Sequence, residues 1–161
     1  MQKGWVRAVT TLITIGIMIM IFCFSMEPAE KSDATSGKIA EKVADTVRPE
    51  WRSYSLKQRL KYFANVQHVV RKCAHFTEFA LLGVSLSLCL TSWFGRRKWR
   101  WPASWAGATL YAALDESHQL LVAGRSGQWT DVLIDSGGAL TGILICGFIL
   151  WMLDRRKRKT I

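Results

Sequence analysis

The sequence is short of the features that make a soluble enzyme legible. It has 3 prolines and 4 cysteines in 161 residues, and 12 acidic side chains against 22 basic ones. With so few prolines, long stretches contain nothing that would break a helix. Cys23, Cys73, Cys89 and Cys146 lie in or beside apolar segments without metal-type spacing. That pattern argues against a disulfide framework and for small apolar filler in helix packing. No His-Glu-x-x-His metal motif is present. A serine nucleophile is poorly supported too, because Ser117, beside His118, points to a different helix face.

What remains is largely apolar. Half of the positions are hydrophobic and 8 are tryptophan, and the mean hydropathy is +0.12. This is the composition of a small membrane protein. A net charge of +10 would also suit a nucleic-acid-binding protein. Here, however, the basic residues stand in short runs beside apolar stretches, with no basic face carrying interleaved aromatics. Such runs are topogenic signals and contacts for anionic lipid, so no nucleic-acid partner is expected.

Four apolar stretches, residues 8–24, 74–94, 102–122 and 132–153, are each about 20 residues long, enough to cross a core of about 30 Å. The expected fold is therefore an all-α integral membrane protein. It is a single domain over residues 1–161, with four transmembrane helices and an extracytoplasmic amphipathic segment, 25–72, between the first and second. Lys3 and Arg7 precede the first stretch, and its exit, Phe24-Ser25-Met26-Glu27-Pro28, has no small-x-small cleavage site. It reads as an uncleaved signal anchor. Pro102 is tolerated in the first turn of its helix. Trp93, Trp99, Trp101 and Trp105, with Trp129 and Trp151, form aromatic belts. The basic loop Gly95-Arg96-Arg97-Lys98-Trp99-Arg100 and the tail Arg155-Arg156-Lys157-Arg158-Lys159 put both termini in the cytoplasm. The connection from Ala123 to Thr130 carries only Arg125. The many Lys and Arg residues of segment 25–72 oppose this orientation, and the other signals outweigh them.

Within that segment, Ile39, Val43 and Val47 recur at helical spacing over 32–48, after Ser32 or Ser36 as caps and before Pro49. Ser55-x-x-Gln58 is a capping-box pattern that opens a second helix, with Leu56, Leu60 and Phe63 on one stripe. Both helices are expected on the outer leaflet, with Trp51, Tyr54 and Tyr62 at headgroup depth. They serve as a plain spacer or as a lid.

Ionisable residues gather near one end of the later stretches. Arg71, Lys72, His75 and Glu78 open the second, while Asp115, Glu116, His118 and Gln119 close the third. Arg125 follows in the connection, and Asp131 and Asp135 open the fourth. Each costs a few kcal/mol in hydrocarbon, so together they read as the working part. The i,i+3 and i,i+4 spacings put His75 with Glu78, Asp115 with His118, and Asp131 with Asp135 on shared faces. Two carboxylates in unlike surroundings could divide acid and base roles. Polar glue between helices, with Arg125 neutralising Asp131 or Asp135, is the structural alternative. His68 reads as an ordinary interfacial residue. Gly138 and Gly142 form a small-x3-small step suited to close helix contact. Gly124-Arg125-Ser126-Gly127 reads as a tight turn.

The same residues carry a family resemblance. Arg71-Lys72-Cys73-Ala74-His75-Phe76-Thr77-Glu78-Phe79 resembles the RK-x-AHF-x-EY signature of the VanZ-like family. Asp115-Glu116-Ser117-His118-Gln119, then Gly124-Arg125-Ser126-Gly127, then Asp131 and Ile134-Asp135-x-x-Gly138 are similar to its DE-x-HQ, PGR-x-G and D-x-x-x-D-x-x-G core. Specific motifs are confined to 71–79 and 115–142. Phe79 stands where Tyr is usual, and Leu120-Leu121-Val122-Ala123 replaces a version with an aromatic and a proline. The resemblance implies a bacterial cell-envelope protein. The family's namesake is associated with low-level teicoplanin resistance, without a settled mechanism.

The expected function is binding or modulation of an envelope or lipid-linked anionic ligand in an outward-facing polar pocket. Arg71, Lys72, Arg125 and Gln119 are the ligand-binding candidates. His75, Glu78, Asp115, Glu116, His118, Asp131 and Asp135 are the candidates for chemistry. An intramembrane enzyme acting on a lipid-linked cell-wall precursor or headgroup is the first alternative, and a structural network in a partner-binding protein is the second. No cofactor is expected.

Overall fold

A computed structural model describes residues 4–125 and 127–159, with side chains described through Arg156. Lys3, Ser126 and the side chains of Lys157, Arg158 and Lys159, which entered the orientation and turn expectations, lie outside the described residues. Five helices account for nearly all of the described chain: α1 (Gly4–Ser25), α2 (Ala29–Val47), α3 (Leu56–Phe94), α4 (Arg100–Gln119) and α5 (Trp129–Lys159). A 3₁₀ turn, Pro49–Ser53, joins α2 to α3.

One boundary in the sequence is not a boundary in the structure. The segment 25–72 and the apolar stretch 74–94 are not separated by a helix break, because α3 runs unbroken for 39 residues, about 58 Å at 1.5 Å per residue. Ser55 and Gln58 form the expected capping box at its start. No proline or glycine interrupts the chain before Gly83, so the change from polar to apolar at Lys72 alters the surroundings of the helix without ending it. Three helices are long and apolar enough to cross a membrane: Gly4–Ser25, Leu56–Phe94 and Trp129–Arg156. Residues of α4 lie against all three of these helices, but its last turns carry Asp115, Glu116, His118 and Gln119, which lower its hydropathy.

Cross-helix pairs give the helix directions. Thr10 and Ser92 hydroxyls meet at 2.9 Å, so α1 and α3 are antiparallel. Tyr111 donates to the Met18 carbonyl at 2.6 Å and Ser25 to Asp115 at 2.7 Å, so α1 and α4 are parallel. The Thr109 and Ser136 hydroxyls meet at 2.7 Å and the Gln128 amide donates to Glu116 at 2.9 Å, so α4 and α5 are antiparallel. It follows that α3 and α5 run parallel. Phe79, Ile21, Leu82, Ala108, Ala112 and Ala139 form the buried core.

The tightest contact is the parallel α3–α5 seam. A Cβ on Gly138 would lie 2.3 Å from the Phe76 carbonyl oxygen, and one on Gly142 would lie 2.0 Å from that of Ala80. One on Gly83 would lie 2.3 Å from the Ala139 carbonyl oxygen. The obstacle is backbone in each case and cannot rotate away. The small-x3-small step of α5 is thus met by a glycine of α3, the geometry that lets membrane helices approach closely.

The α2 hairpin packs by an unexpected face. Helix α2 begins at Ala29, earlier than the Ser32 or Ser36 caps suggest, and has no side-chain cap. Its buried residues are Ser36, Ala40 and Ala44, whereas Ile39, Val43 and Val47 are 52 %, 37 % and 71 % exposed. Leu56 and Leu60 are exposed as well. Small residues bring α2 close to α3 and turn the branched side chains outward. Trp51 is likewise not a headgroup anchor. It is 6 % exposed, its ring lies 5.9 Å from Phe63 and 6.0 Å from Tyr62, and its indole N–H donates to Asp45 at 2.8 Å.

Arg52 donates to both Asp45 oxygens at 2.8–2.9 Å and to Glu41 at 2.8 Å. The Arg52 hydrogen bonds, and then that of Trp51, hold the Asp45 carboxyl down at about 2 from the usual 3.8. A depressed carboxyl stabilises the fold above its ordinary value and loses that contribution as pH falls toward the depressed one. Hydrogen exchange over residues 41–55 should therefore keep its protection above about pH 4 and lose it between about pH 4 and pH 2. Asp45→Asn should show the unprotected pattern already at neutral pH. For the seam, Gly142→Ala should lower stability by about 1–3 kcal/mol, the usual cost of overpacking. Thermal unfolding in detergent checks this, with Gly16→Ala, which meets nothing within 4 Å, as the substitution that does not lower it.

Candidate functional site

The parallel seam sets an ion pair and a second, longer polar approach between α3 and α5. Lys72 pairs with Asp131. One turn further along both helices, His75 Nδ1 faces Asp135 Oδ2 at 4.0 Å. Asp135 is fully buried, and Lys72, His75 and Asp131 are about one-fifth exposed. Asp131 and Asp135 do share a face, and it is the face toward α3.

The end of α4 adds the third wall. Asp115 Oδ2 accepts from Ser25 at 2.7 Å and from Gln119 at 3.0 Å, so α1 and α4 are tied at this end. Glu116 Oε2 accepts from the Gln128 backbone amide, which holds the start of α5 beneath α4. Gly124 adopts φ +75°, a left-handed conformation that glycine supplies without strain, and the turn then aims Arg125 back at α1. Arg125 donates from Nε to the Glu27 carbonyl at 3.1 Å and from Nη2 to the Phe24 carbonyl at 3.1 Å. A longer contact, 3.5 Å, reaches the Gln119 side-chain oxygen.

The cations of the site differ in what they touch. Lys72 has Asp131, and Arg71 has Asp33 of α2 at 2.8 Å. Arg125 donates hydrogen bonds to neutral oxygens only and forms no salt bridge among the described residues, although it lies within electrostatic reach of Glu78. It does not neutralise Asp131 or Asp135. Asp131 is taken by Lys72, and Asp135 is buried on the far side of His75.

Two clefts flank His75. A polar one of ≈ 140 Å³ is lined by His68, Arg71, Lys72, His75, Gln119, Arg125, Gln128 and Asp131, with Ala29 and Gly124. A mainly apolar groove of ≈ 340 Å³ is lined by Phe24, Ile39, Val70, Ala74 and small α2 residues, with Glu27 and Glu78 at its polar edge. Arg71, His75 and Arg125 line both. A polar, cationic hollow thus lies beside a mainly apolar one, and the residues common to both are two guanidinium groups and an imidazole.

The carboxylates beneath are incompletely satisfied. His75 Nδ1, Asp115 Oδ1, Glu116 Oε1 and both Asp135 oxygens are buried without a hydrogen-bond partner among the described residues. Asp135 lies within electrostatic reach of Glu116, Asp115, Asp131 and Glu78. Among the described residues no three His, Cys, Asp or Glu side chains are disposed to hold a metal ion.

Ten of the eleven residues singled out in the sequence meet around these clefts or directly beneath them: Arg71, Lys72, His75, Glu78, Asp115, Glu116, Gln119, Arg125, Asp131 and Asp135. His118 does not. Its ring stacks on Phe22 at 4.8 Å, on the outer side of α1. A step of three residues turns a helix by about 300°, and the remaining offset of roughly 60° carries His118 out of the face that buries Asp115. Conversely, His68 belongs to the polar cleft. The signal was its spacing, since His68, Lys72 and His75 repeat at i, i+4 and i+7 on one helix face. Ser25, which anchors Asp115, carries no sequence signal of its own.

No curated protein and no solved structure matches this chain. The family model for VanZ/LLP1 matches residues 10–151. That match spans α1 to α5 and includes every charged residue of the two clefts, so the chain belongs to the VanZ/LLP1 family.

Proposed function

We propose that this VanZ/LLP1-family membrane protein holds a lipid-linked, anionic ligand of the cell envelope in the two joined clefts. Arg125, which no salt bridge engages, supplies the leading positive charge, Arg71 and Lys72 reinforce it, and the groove takes the apolar tail. The observation that carries the reading is the shared wall of Arg71, His75 and Arg125 between a polar hollow and an apolar groove. An amphiphile has this division of chemistry, and a small soluble metabolite does not.

In this reading α4 crosses the membrane with the other three helices, its polar last turns turned inward onto Ser25 and Gln128. Both termini lie in the cytoplasm and the clefts face outward across the cytoplasmic membrane. Arg96, Arg97, Lys98 and Arg100 gather at the opposite end of the bundle, which supports that orientation. The α2 hairpin lies outside, where its exposed Ile39, Val43 and Val47 meet the leaflet and its small residues roof the groove. Any link to teicoplanin susceptibility runs through the ligand, because a protein that holds a cell-wall lipid alters what a glycopeptide can reach.

The His75–Asp135 approach favours a second reading as an enzyme, with Asp135 orienting the imidazole toward the ligand. In that case His75→Gln would abolish turnover of radiolabelled envelope lipid while sparing its binding.

Lipid analysis of protein extracted directly into native membrane discs tests the main reading. The wild type should carry an enriched anionic lipid. Arg125→Gln should lose it at normal abundance and insertion, and His118→Ala, remote from both clefts, should keep it. An unchanged lipid complement in Arg125→Gln would overturn the proposal.

A further inference from the structure

The dimensions and charge of the polar cleft narrow the ligand further, on the assumption that the amphiphile reading is right. At ≈ 140 Å³ the cleft is well below the roughly 300–1,000 Å³ of sites that enclose drug-sized molecules. The enclosed part is of the size of a phosphate group. Its positive charge is held in two ways. Lys72 and Arg71 are already paired with Asp131 and Asp33. Arg125 is held by carbonyl oxygens, which orient it, and Glu78, within its electrostatic reach, forms no salt bridge with it. His68 and His75 add two imidazole edges to the same lining.

We infer that the cleft recognises the terminal phosphate monoester of a lipid phosphate, with its single hydrocarbon chain leaving past Arg125 and His75 into the groove of Phe24, Val70 and Ala74. A monoester presents three oxygens and close to two negative charges. It can accept from the Arg125 guanidinium and still offer oxygens to the imidazoles and to Lys72. A phosphodiester headgroup has one charge and one terminal oxygen fewer, so it satisfies fewer of the same donors. The backbone-held fork of Arg125 suits oxygen pairs, which a lysine ammonium at that place could not match.

The test uses the full chain in phosphatidylcholine discs, titrated with farnesyl monophosphate, farnesol, phosphatidylglycerol and inorganic phosphate. Farnesyl monophosphate should bind about tenfold or more tighter than phosphatidylglycerol, a gap of about 1.4 kcal/mol. Inorganic phosphate should bind weakly and farnesol not measurably. Arg125→Gln should weaken the monophosphate by about tenfold or more, with Arg125→Lys recovering only part. Since Arg125 also ties the turn to α1, Ala74→Phe provides a variant independent of that tie. It fills the groove and should weaken farnesyl monophosphate while leaving inorganic phosphate unchanged. Equal binding of phosphatidylglycerol and farnesyl monophosphate, both lost in Arg125→Gln, would overturn the monoester assignment and leave the anionic-lipid reading standing. Inorganic phosphate binding as tightly as its farnesyl ester would remove the groove from the site. No binding of either anionic lipid by the wild type would overturn both readings.

Discussion

Backbone approaching backbone along α3 and α5 is the constraint on which this protein depends. Gly83, Gly138 and Gly142 remove the side chains that would hold the two helices apart. Their parallel course then fixes Lys72 opposite Asp131 and His75 opposite Asp135 one turn later. Long side chains could bridge a wider gap for the first pair. The second could not form at all, because imidazole and aspartate are short and Asp135 has no exposure. The packing of three small residues therefore determines which charges face one another, and helices α1 and α4 complete the enclosure with Ser25, Asp115 and Gln119.

Buried polar groups occur at both ends of the bundle. At the end near Ser92, hydroxyls and indoles find partners across helices, as Thr10 does with Ser92 and Trp93 with Thr11, while Arg100 stacks on Trp101 at 4.4 Å and bonds Thr91, leaving Ser87 Oγ and Arg100 Nε without a partner among the described residues. At the other end, five buried polar atoms on His75, Asp115, Glu116 and Asp135 have no partner among the described residues, and an arginine is held by neutral oxygens.

Much of this was legible in the sequence, for identifiable reasons. Charges are so costly in hydrocarbon that their presence marks the site, and the small-x3-small step marks the seam. What could not be read was rotational detail. Asp115 and His118 lie on one face by spacing, yet only Asp115 turns inward, since the choice depends on where α1 packs. Ile39, Val43 and Val47 looked like the buried stripe of α2, but Ser36, Ala40 and Ala44 take that place, because close approach to α3 rewards small side chains over apolar ones. Trp51 looked like an interfacial anchor and is instead enclosed by Phe63, Tyr62 and Asp45. His68 read as an ordinary interfacial residue because it lies outside the apolar stretch 74–94. The continuity of α3 brings it into the cleft. Gly83 lacked a motif on its own helix, since its partner lies on α5.

The most direct measurement of the central claim is proximity across the seam in the membrane. In a chain with its four native cysteines replaced, a cysteine pair at positions 72 and 131 should link efficiently with a short bifunctional reagent in intact membranes. A pair at 72 and 118 should not, because His118 faces away beside Phe22. Efficient linking of 72 to 118, or none between 72 and 131 in correctly inserted protein, would contradict the arrangement from which the site and its proposed ligand follow.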